Sequence, residues 1–138
     1  MVSNINISDI EEFNKLGSLV NSKFDKLFSL SELLDSEYDY VFGYYDKKLV
    51  GFIHVNKMYE NMDIVNIVVD PKYRRKGIAN ELINYSISYF DDLKSIMLEV
   101  NEHNKEAINL YKKNGFVEIN RREKYYGNDD ALIMKRDV

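Results

Sequence analysis

The run Arg74-Arg75-Lys76-Gly77-Ile78-Ala79 sets three cations just before a glycine and a stretch of helical apolar spacing. That order suits a phosphorylated ligand. Glycine at the mouth of a helix lets the main chain approach an anion, and the helix offers unpaired N–H groups and its positive dipole end there. From these six residues alone, a charged surface turn reads equally well. The run has neither P-loop spacing nor a GxGxxG, so the nucleoside triphosphate and dinucleotide fingerprints both fail. A second set of candidate groups follows. Glu99 lies between Leu98 and Val100 in an apolar strand, where burial would raise its pKa and bring it toward general-base duty. The alternative is a solvated or cation-paired acid. Asn104 and Tyr111 are seven residues apart with Ile108 between them, so on a helix they share one face and can address one ligand. Taken singly, Asn104 reads as a helix cap and Tyr111 as core packing.

These groups need elements to hold them. Residues 2–7 read as a first strand, and Ser8 with Glu11 as a capping box before a helix carrying Ile10, Phe13, Leu16 and Val20. Ser29 and Glu32 would start a short helix through Leu33 and Leu34. Residues 40–45 and 49–57 are rich in aromatic and β-branched side chains and form a hairpin turning at 46–48. After a turn at 59–61, a strand over 62–69 leads into the loop 70–76 and a helix marked by Ile78, Leu82, Ile83 and Ile87. Another strand covers 95–100, then a helix 104–114 stopped at Gly115, then strands near 116–122 and 131–136. The class is mixed α/β. Hairpins at both ends favour a mixed sheet over a fully parallel one.

Composition bounds the remaining possibilities. The 138 residues fit one domain, 1–138, large enough for a sizeable core, and no repeat or low-complexity segment divides it. With no cysteine, disulfides, thiolate nucleophiles and cysteine-ligated metals are excluded, and His54 and His103 show no metal-ligand spacing, so no metal is expected. Both histidines read as structural or exposed. No apolar run approaches the roughly 20 residues of a bilayer span, and the start lacks signal-peptide regions, so a cytoplasmic location without membrane contact is expected. A formal charge of −4 argues against broad nucleic-acid binding. Acidic groups at Asp35, Glu37 and Asp39, and at Glu60 and Asp63, are either solvated surface or an attraction for a cationic peptide. No sequence feature sets an oligomeric state.

The chain resembles the GCN5-related N-acetyltransferase (GNAT) superfamily, whose acetyl-CoA motif is Arg or Gln, two variable residues, Gly, one variable residue, then Gly or Ala. Arg74, Gly77 and Ala79 fit it. A closer resemblance is to the RimI-type ribosomal-protein-alanine N-acetyltransferases, through Asn66-Ile67-Val68-Val69-Asp70-Pro71, Leu98-Glu99-Val100, Asn104, Ala107-Ile108 and Leu110-Tyr111. The tail adds Gly115-Phe116, Arg121-Arg122, Tyr125-Tyr126 and the segment Asp130-Ala131-Leu132-Ile133-Met134. The resemblance implies a twisted, mostly antiparallel mixed sheet with helices on both faces, and acetyl-CoA entering where two parallel strands splay. It implies that main-chain groups of Ile67, Val68 and Val69 bind the acetyl and pantetheine portion. Arg74 completes the cofactor motif, and Arg75, Lys76, Gly77, Ile78, Ala79 and Asn80 would hold the pyrophosphate, with Asn104 a further contact. Glu99 would accept a proton and Tyr111 would donate one to the departing thiolate.

The implied reaction is direct attack of a neutral amine on the acetyl carbonyl in a ternary complex, which needs no enzyme nucleophile. At pH 7 roughly 10% of an α-amine but only about 0.04% of a lysine amine is neutral, so an N-terminal acceptor is easier to activate. The implied acceptor is a protein N-terminus such as that of ribosomal protein S18. A small-molecule amine is the alternative, and a non-catalytic acyl-CoA-binding module a third. Tyr125 and Tyr126 read either as lining for an acceptor groove or as core packing. The segment Phe24-Asp25-Lys26-Leu27-Phe28 departs from the family by lacking its frequent proline and tryptophan. That region would shape the acceptor site.

Overall fold

Two non-glycine residues in the left-handed region, Lys47 (φ 65°) and Tyr59 (φ 55°), reverse the chain and create a three-stranded meander. It consists of β2 (Asp39–Asp46), β3 (Lys48–Met58) and β4 (Asn61–Val69). In the computed structural model, which describes residues 1–138, this meander is the middle of a seven-stranded sheet. Its order is β1-β2-β3-β4-β5-β7-β6, where β1 is Val2–Asn4, β5 Ser95–Asn101, β6 Val117–Tyr126 and β7 Asp129–Asp137. All neighbouring strands are antiparallel except β4 and β5. Helix α4 (Ile78–Tyr89) joins that pair, as a parallel connection requires.

The parallel pairing is short. It runs only from Asn61↔Ser95 to Ile64↔Leu98, after which β4 keeps β3 as its partner to Val69 and β5 keeps β7 to Asn101. At the parting point β4 carries a bulge. Ile64 opposes Val55 and Asn66 opposes His54, so Val65 is the extra residue. A bulge adds local twist and bends its strand, which turns β4 away from β5.

Each face of the sheet has its own core. On one face Ile78, Leu82 and Ile83 of α4 pack with Ile108 and Tyr111 of α5 (Lys105–Lys113) against Ile53, Val55, Met62, Ile64, Ile96, Leu98 and Val100. On the other, Phe13 and Leu16 of α1 (Ile10–Gly17), Phe24 of α2 (Phe24–Leu27) and Leu30 of α3 (Leu30–Asp35) pack on Val41, Leu49, Phe52 and Val68. Phe13 anchors this second core, its ring 4.6 Å from Phe52 and 5.3 Å from Phe24. Full burial of such a side chain contributes about 1.5–3 kcal/mol. No helix is long and apolar enough to cross a membrane.

The expected elements are present with shifted ends. The first strand stops at Asn4, and the capping box belongs to Asn6 and Asp9 on a 3-10 turn (Ile7–Asp9), not to Ser8 and Glu11. There the Asp9 carboxylate accepts from the Asn6 amide at 3.0 Å and Asn6 Oδ1 accepts from the Ser8 amide at 3.2 Å, so the Ser8 N–H that Glu11 was expected to cap is already paired. Val20 lies outside α1 and is exposed, because the helix closes at Gly17, where a Cβ would collide with the Phe24 ring at 2.0 Å. Ser29 does cap α3, accepting from the Glu32 amide at 3.4 Å.

Candidate active site

The loop from β4 to α4 begins with Asp70, whose carboxylate accepts from the Lys72 amide at 2.9 Å and starts a 3-10 turn (Pro71–Tyr73). Arg74 follows in extended conformation, then Arg75 and Gly77 both adopt positive φ, 63° and 77°. Alternating left-handed residues direct successive N–H groups to one side and form an anion-binding concavity. None of the main-chain N–H groups of residues 75–80 donates to another group of the chain, and the first bond of the helix is Glu81 N–H to Gly77 C=O at 3.0 Å. A Cβ on Gly77 would meet no atom within 4 Å, so the concavity is open. Arg74, Arg75 and Lys76 are exposed and form no ion pair. Arg74 Nε donates to the Val69 carbonyl at 3.4 Å and the Lys76 ammonium lies 5.3 Å from the Tyr73 ring centroid. Donors, dipole and positive charge thus coincide at one helix end, beside the parted strands, a donor set that fits a pyrophosphate.

Ile67, Val68 and Val69 follow the bulge on the unpaired edge of β4. Along a strand, successive amides point to opposite sides, so part of this segment's main chain faces the split. Val68 packs into the second core while Ile67 and Val69 lean on the first, which fixes the strand's rotation. Asn80, in the first turn of α4, accepts from Asn114 Nδ2 at 2.6 Å. Asn114 ends α5, so the anion cradle and the helix carrying Tyr111 are tied together.

Asn104 caps α5, accepting from the Ala107 amide at 3.2 Å. That capping role occupies its side-chain oxygen and leaves its Nδ2 for a ligand. Tyr111 is buried to 6% exposure and its ring meets Phe116 edge-on at 5.8 Å. Its hydroxyl donates to no group of the chain, yet no buried side-chain polar atom lacks a partner, so that hydroxyl reaches the surface. Burial, with a smaller contribution from nearby Tyr126, pushes its pKa up to about 12.

Glu99 takes the second of its two readings, the cation-paired acid. It does share a strand face with Met97, but that face is open here, and Glu99 is exposed. Its Oε1 lies 3.2 Å from Arg122 Nη2. The cause is positional: Ile96, Leu98 and Val100 occupy the packed face, and β7 with β6 brings Arg122 over the other. Glu99 is therefore a solvent-accessible, cation-paired carboxylate, not a desolvated one.

Around it gather residues whose role the sequence left open, Asp63, Tyr125 and Tyr126. Asp63, in register with Met97 on the neighbouring strand, has its pKa raised by burial and then by the charge of Glu99. Tyr126 is raised by burial, then by Glu99 and Tyr125. Tyr125 and Tyr126 are both exposed, edge to face at 5.1 Å, with the Arg122 guanidinium 5.5 Å from the Tyr125 ring, so core packing does not explain them. Glu102, His103 and Asp129 bring ligand atoms within 4.8 Å of one another, a grouping spread over sequence. Each already has protein partners: Arg121 and the Asp130 amide for Glu102, and Asn101 and His103 for Asp129. The two arms of the site, anion cradle and carboxylate face, meet where β4 and β5 separate.

The comparisons agree with this geometry. The model of the acetyltransferase (GNAT) family matches residues 7–116. The chain is 33% identical over 93 residues to the ribosomal protein bS18 alanine N-acetyltransferase of Escherichia coli K12, a match covering 63% of each chain. It therefore spans just under two thirds of that relative's length. The crystal structure of the ribosomal-protein-S18-alanine N-acetyltransferase from Escherichia coli superposes with a TM-score of 0.82 at 23% identity, covering 100% of this chain and 93% of that one. An aminoglycoside 6'-N-acetyltransferase complexed with coenzyme A superposes at 0.86 with 16% identity, covering 99% and 96%. At such identities these two structures establish the fold.

Proposed function

This chain belongs to the acetyltransferase (GNAT) family, and from that premise we propose that it transfers acetyl from acetyl-CoA to a primary amine, most readily the N-terminal α-amine of a protein. The observation that carries this reading is the coincidence of six unpaired amides and three unpaired cations with the mouth of two parting parallel strands. Pyrophosphate fits the first feature and an extended pantetheine arm the second. Residues 75–80 hold the pyrophosphate in this account, Arg74 positions the loop through Val69, and the edge of Ile67, Val68 and Val69 aligns the arm.

Acetyl-CoA supplies a thioester whose carbonyl carbon takes the amine lone pair and whose C–S bond breaks to release a thiolate. The chain's own residues manage protons and position. Glu99, being accessible, takes the amine proton directly or through one water, and Arg122 steadies the carboxylate. Tyr111 keeps its proton at neutral pH and donates a hydrogen bond to the leaving sulfur. Amides on the β4 edge polarise the carbonyl.

An N-terminal acceptor is favoured by the relative that modifies the alanine of bS18 and by the low neutral fraction of lysine amines. The carboxylates of Asp63 and Glu99 suit an incoming ammonium. Thiol release from acetyl-CoA is the test, with free-N-terminus peptides, N-blocked lysine peptides and small amines as acceptors. Faster release with free N-termini, alanine-first peptides leading, is the expected result. Equal rates for blocked and free peptides would reject the N-terminal assignment, and turnover of small amines alone would favour the second reading.

A further inference from the structure

His54 is buried, at 2% exposure, and has no part in the chemistry assigned above. Its Nε2 lies 2.8 Å from Asp39 Oδ1 and its Nδ1 3.3 Å from Asn66 Nδ2. Burial pulls the imidazole's pKa down, against the hydrogen bond and charge of Asp39, so the ring is neutral at pH 7. Burial raises Asp39, but hydrogen bonds from His54, Ser36 and Asn56 outweigh it and keep the carboxylate ionised. An ionised carboxylate only accepts, so the His54 proton resides on Nε2 and Nδ1 is a bare acceptor. Asn66 must then offer its NH2 to His54, which turns its Oδ1 away. That oxygen has no partner in the chain.

Its location gives the orientation a use. Asn66 is the first residue of β4 after the bulge, on the same face as Val68 of the second core. Glu99 is the first residue of β5 beyond the last parallel pair, and it faces away from Leu98 and Val100 of the first core. The two side chains therefore flank the split from opposite strands on one face. We infer that Asn66 touches the acceptor: its Oδ1, oriented through His54 and Asp39, accepts an N–H of the incoming amine and turns the amine lone pair toward the acetyl carbonyl. This rests on the acetyltransferase reading. Attack requires the lone pair to point at carbon, and fixing one N–H on Asn66 while Glu99 takes the departing proton leaves that direction free. His54 and Asp39 are positioning residues.

The experiment combines kinetics with nitrogen-15 spectroscopy of the full chain. The His54 ring at pH 7 should show a protonated Nε2 and an unprotonated Nδ1. Asn66→Ala should lower kcat/KM for an alanine-first peptide about ten-fold, the loss of one hydrogen bond, with coenzyme A affinity unchanged. Asn66→Asp keeps an acceptor oxygen and should retain several-fold more activity than Asn66→Ala, while His54 becomes protonated on both nitrogens between two carboxylates. A protonated Nδ1 in the unsubstituted protein would overturn the inference, as would unchanged kinetics in Asn66→Ala. Equal impairment of Asn66→Asp and Asn66→Ala would also refute it, since an outward oxygen would then be irrelevant. No transfer by the unsubstituted protein overturns the functional reading together with this one, whereas an active protein indifferent to Asn66 refutes only this one.

Discussion

Replacing Tyr111 by Phe removes one hydroxyl and keeps the ring that packs against Phe116, so its effect on rate isolates the hydrogen bond to the leaving sulfur. The phenol titrates near 12 and a thiol near 8.5. Complete proton transfer from the one to the other is thus uphill. Donation without transfer is therefore the mode available to Tyr111. A hydrogen bond to a charged partner contributes about 1.5–3 kcal/mol, so Tyr111→Phe should lower kcat by roughly 10- to 150-fold. The assay is kcat at saturating acetyl-CoA, repeated with acetyl thioesters of more acidic thiols. Those leaving groups carry less need for stabilisation, so the penalty should shrink as thiol acidity rises. An undiminished kcat, or an equal penalty across the thioester series, would refute the assignment.

The same burial of Tyr111 makes stability depend on alkaline pH. Its pKa is near 12 folded and about 10 unfolded, so between those values the unfolded chain has lost a proton that the folded chain keeps, and stability falls by about 3 kcal/mol as pH rises through that window. Urea midpoints at pH 9, 10 and 11 should decline, and less steeply in Tyr111→Phe; an identical slope in the variant would contradict the buried-phenol account. Tyr45 acts in the same direction, raised by burial and by the Asp9 carboxylate it donates to at 2.6 Å. Gly77→Ala should cost about 1 kcal/mol of stability, because φ is 77°, and more in coenzyme A affinity, because the new methyl enters the anion concavity. Calorimetric titration and thermal melts separate the two effects, and unaltered affinity would place the pyrophosphate elsewhere. Glu99→Gln should reduce kcat by about 100-fold or more with peptide acceptors while leaving coenzyme A affinity intact, and the rise in kcat/KM from pH 6 to 8 should persist because it follows the amine. An active Glu99→Gln protein would remove Glu99 from proton transfer.

What the sequence disclosed was local. The apolar run within residues 62–69, the glycine at 77 and the helical spacing after it all act within a few residues, and the strand-loop-helix unit follows from them. The alternation of Leu98, Glu99 and Val100 gave the face of Glu99, but which face is covered depends on packing elsewhere, and only that packing decides between its buried and cation-paired readings. Helix α2 has only four residues, too few for a period, and is held by the edge-to-face contact of Phe24 with Phe13. Strand β6 is exposed along its whole length at the sheet edge, so no apolar pattern marks its extension to Tyr126. Its consequence, Arg122 beside Glu99, joins residues 23 positions apart. The His54–Asp39–Asn66 chain crosses three strands and was invisible for the same reason: register and a single bulge, not spacing, bring those side chains together.

Acetyl transfer to a free N-terminus is tested most directly by mass spectrometry of an alanine-first peptide also containing lysine, after incubation with acetyl-CoA and this protein. One added acetyl group, located by fragmentation on the N-terminal residue and absent from the lysine, is the predicted result. Acetyl on the lysine alone, or no acetyl on any peptide while coenzyme A binds, would contradict the account.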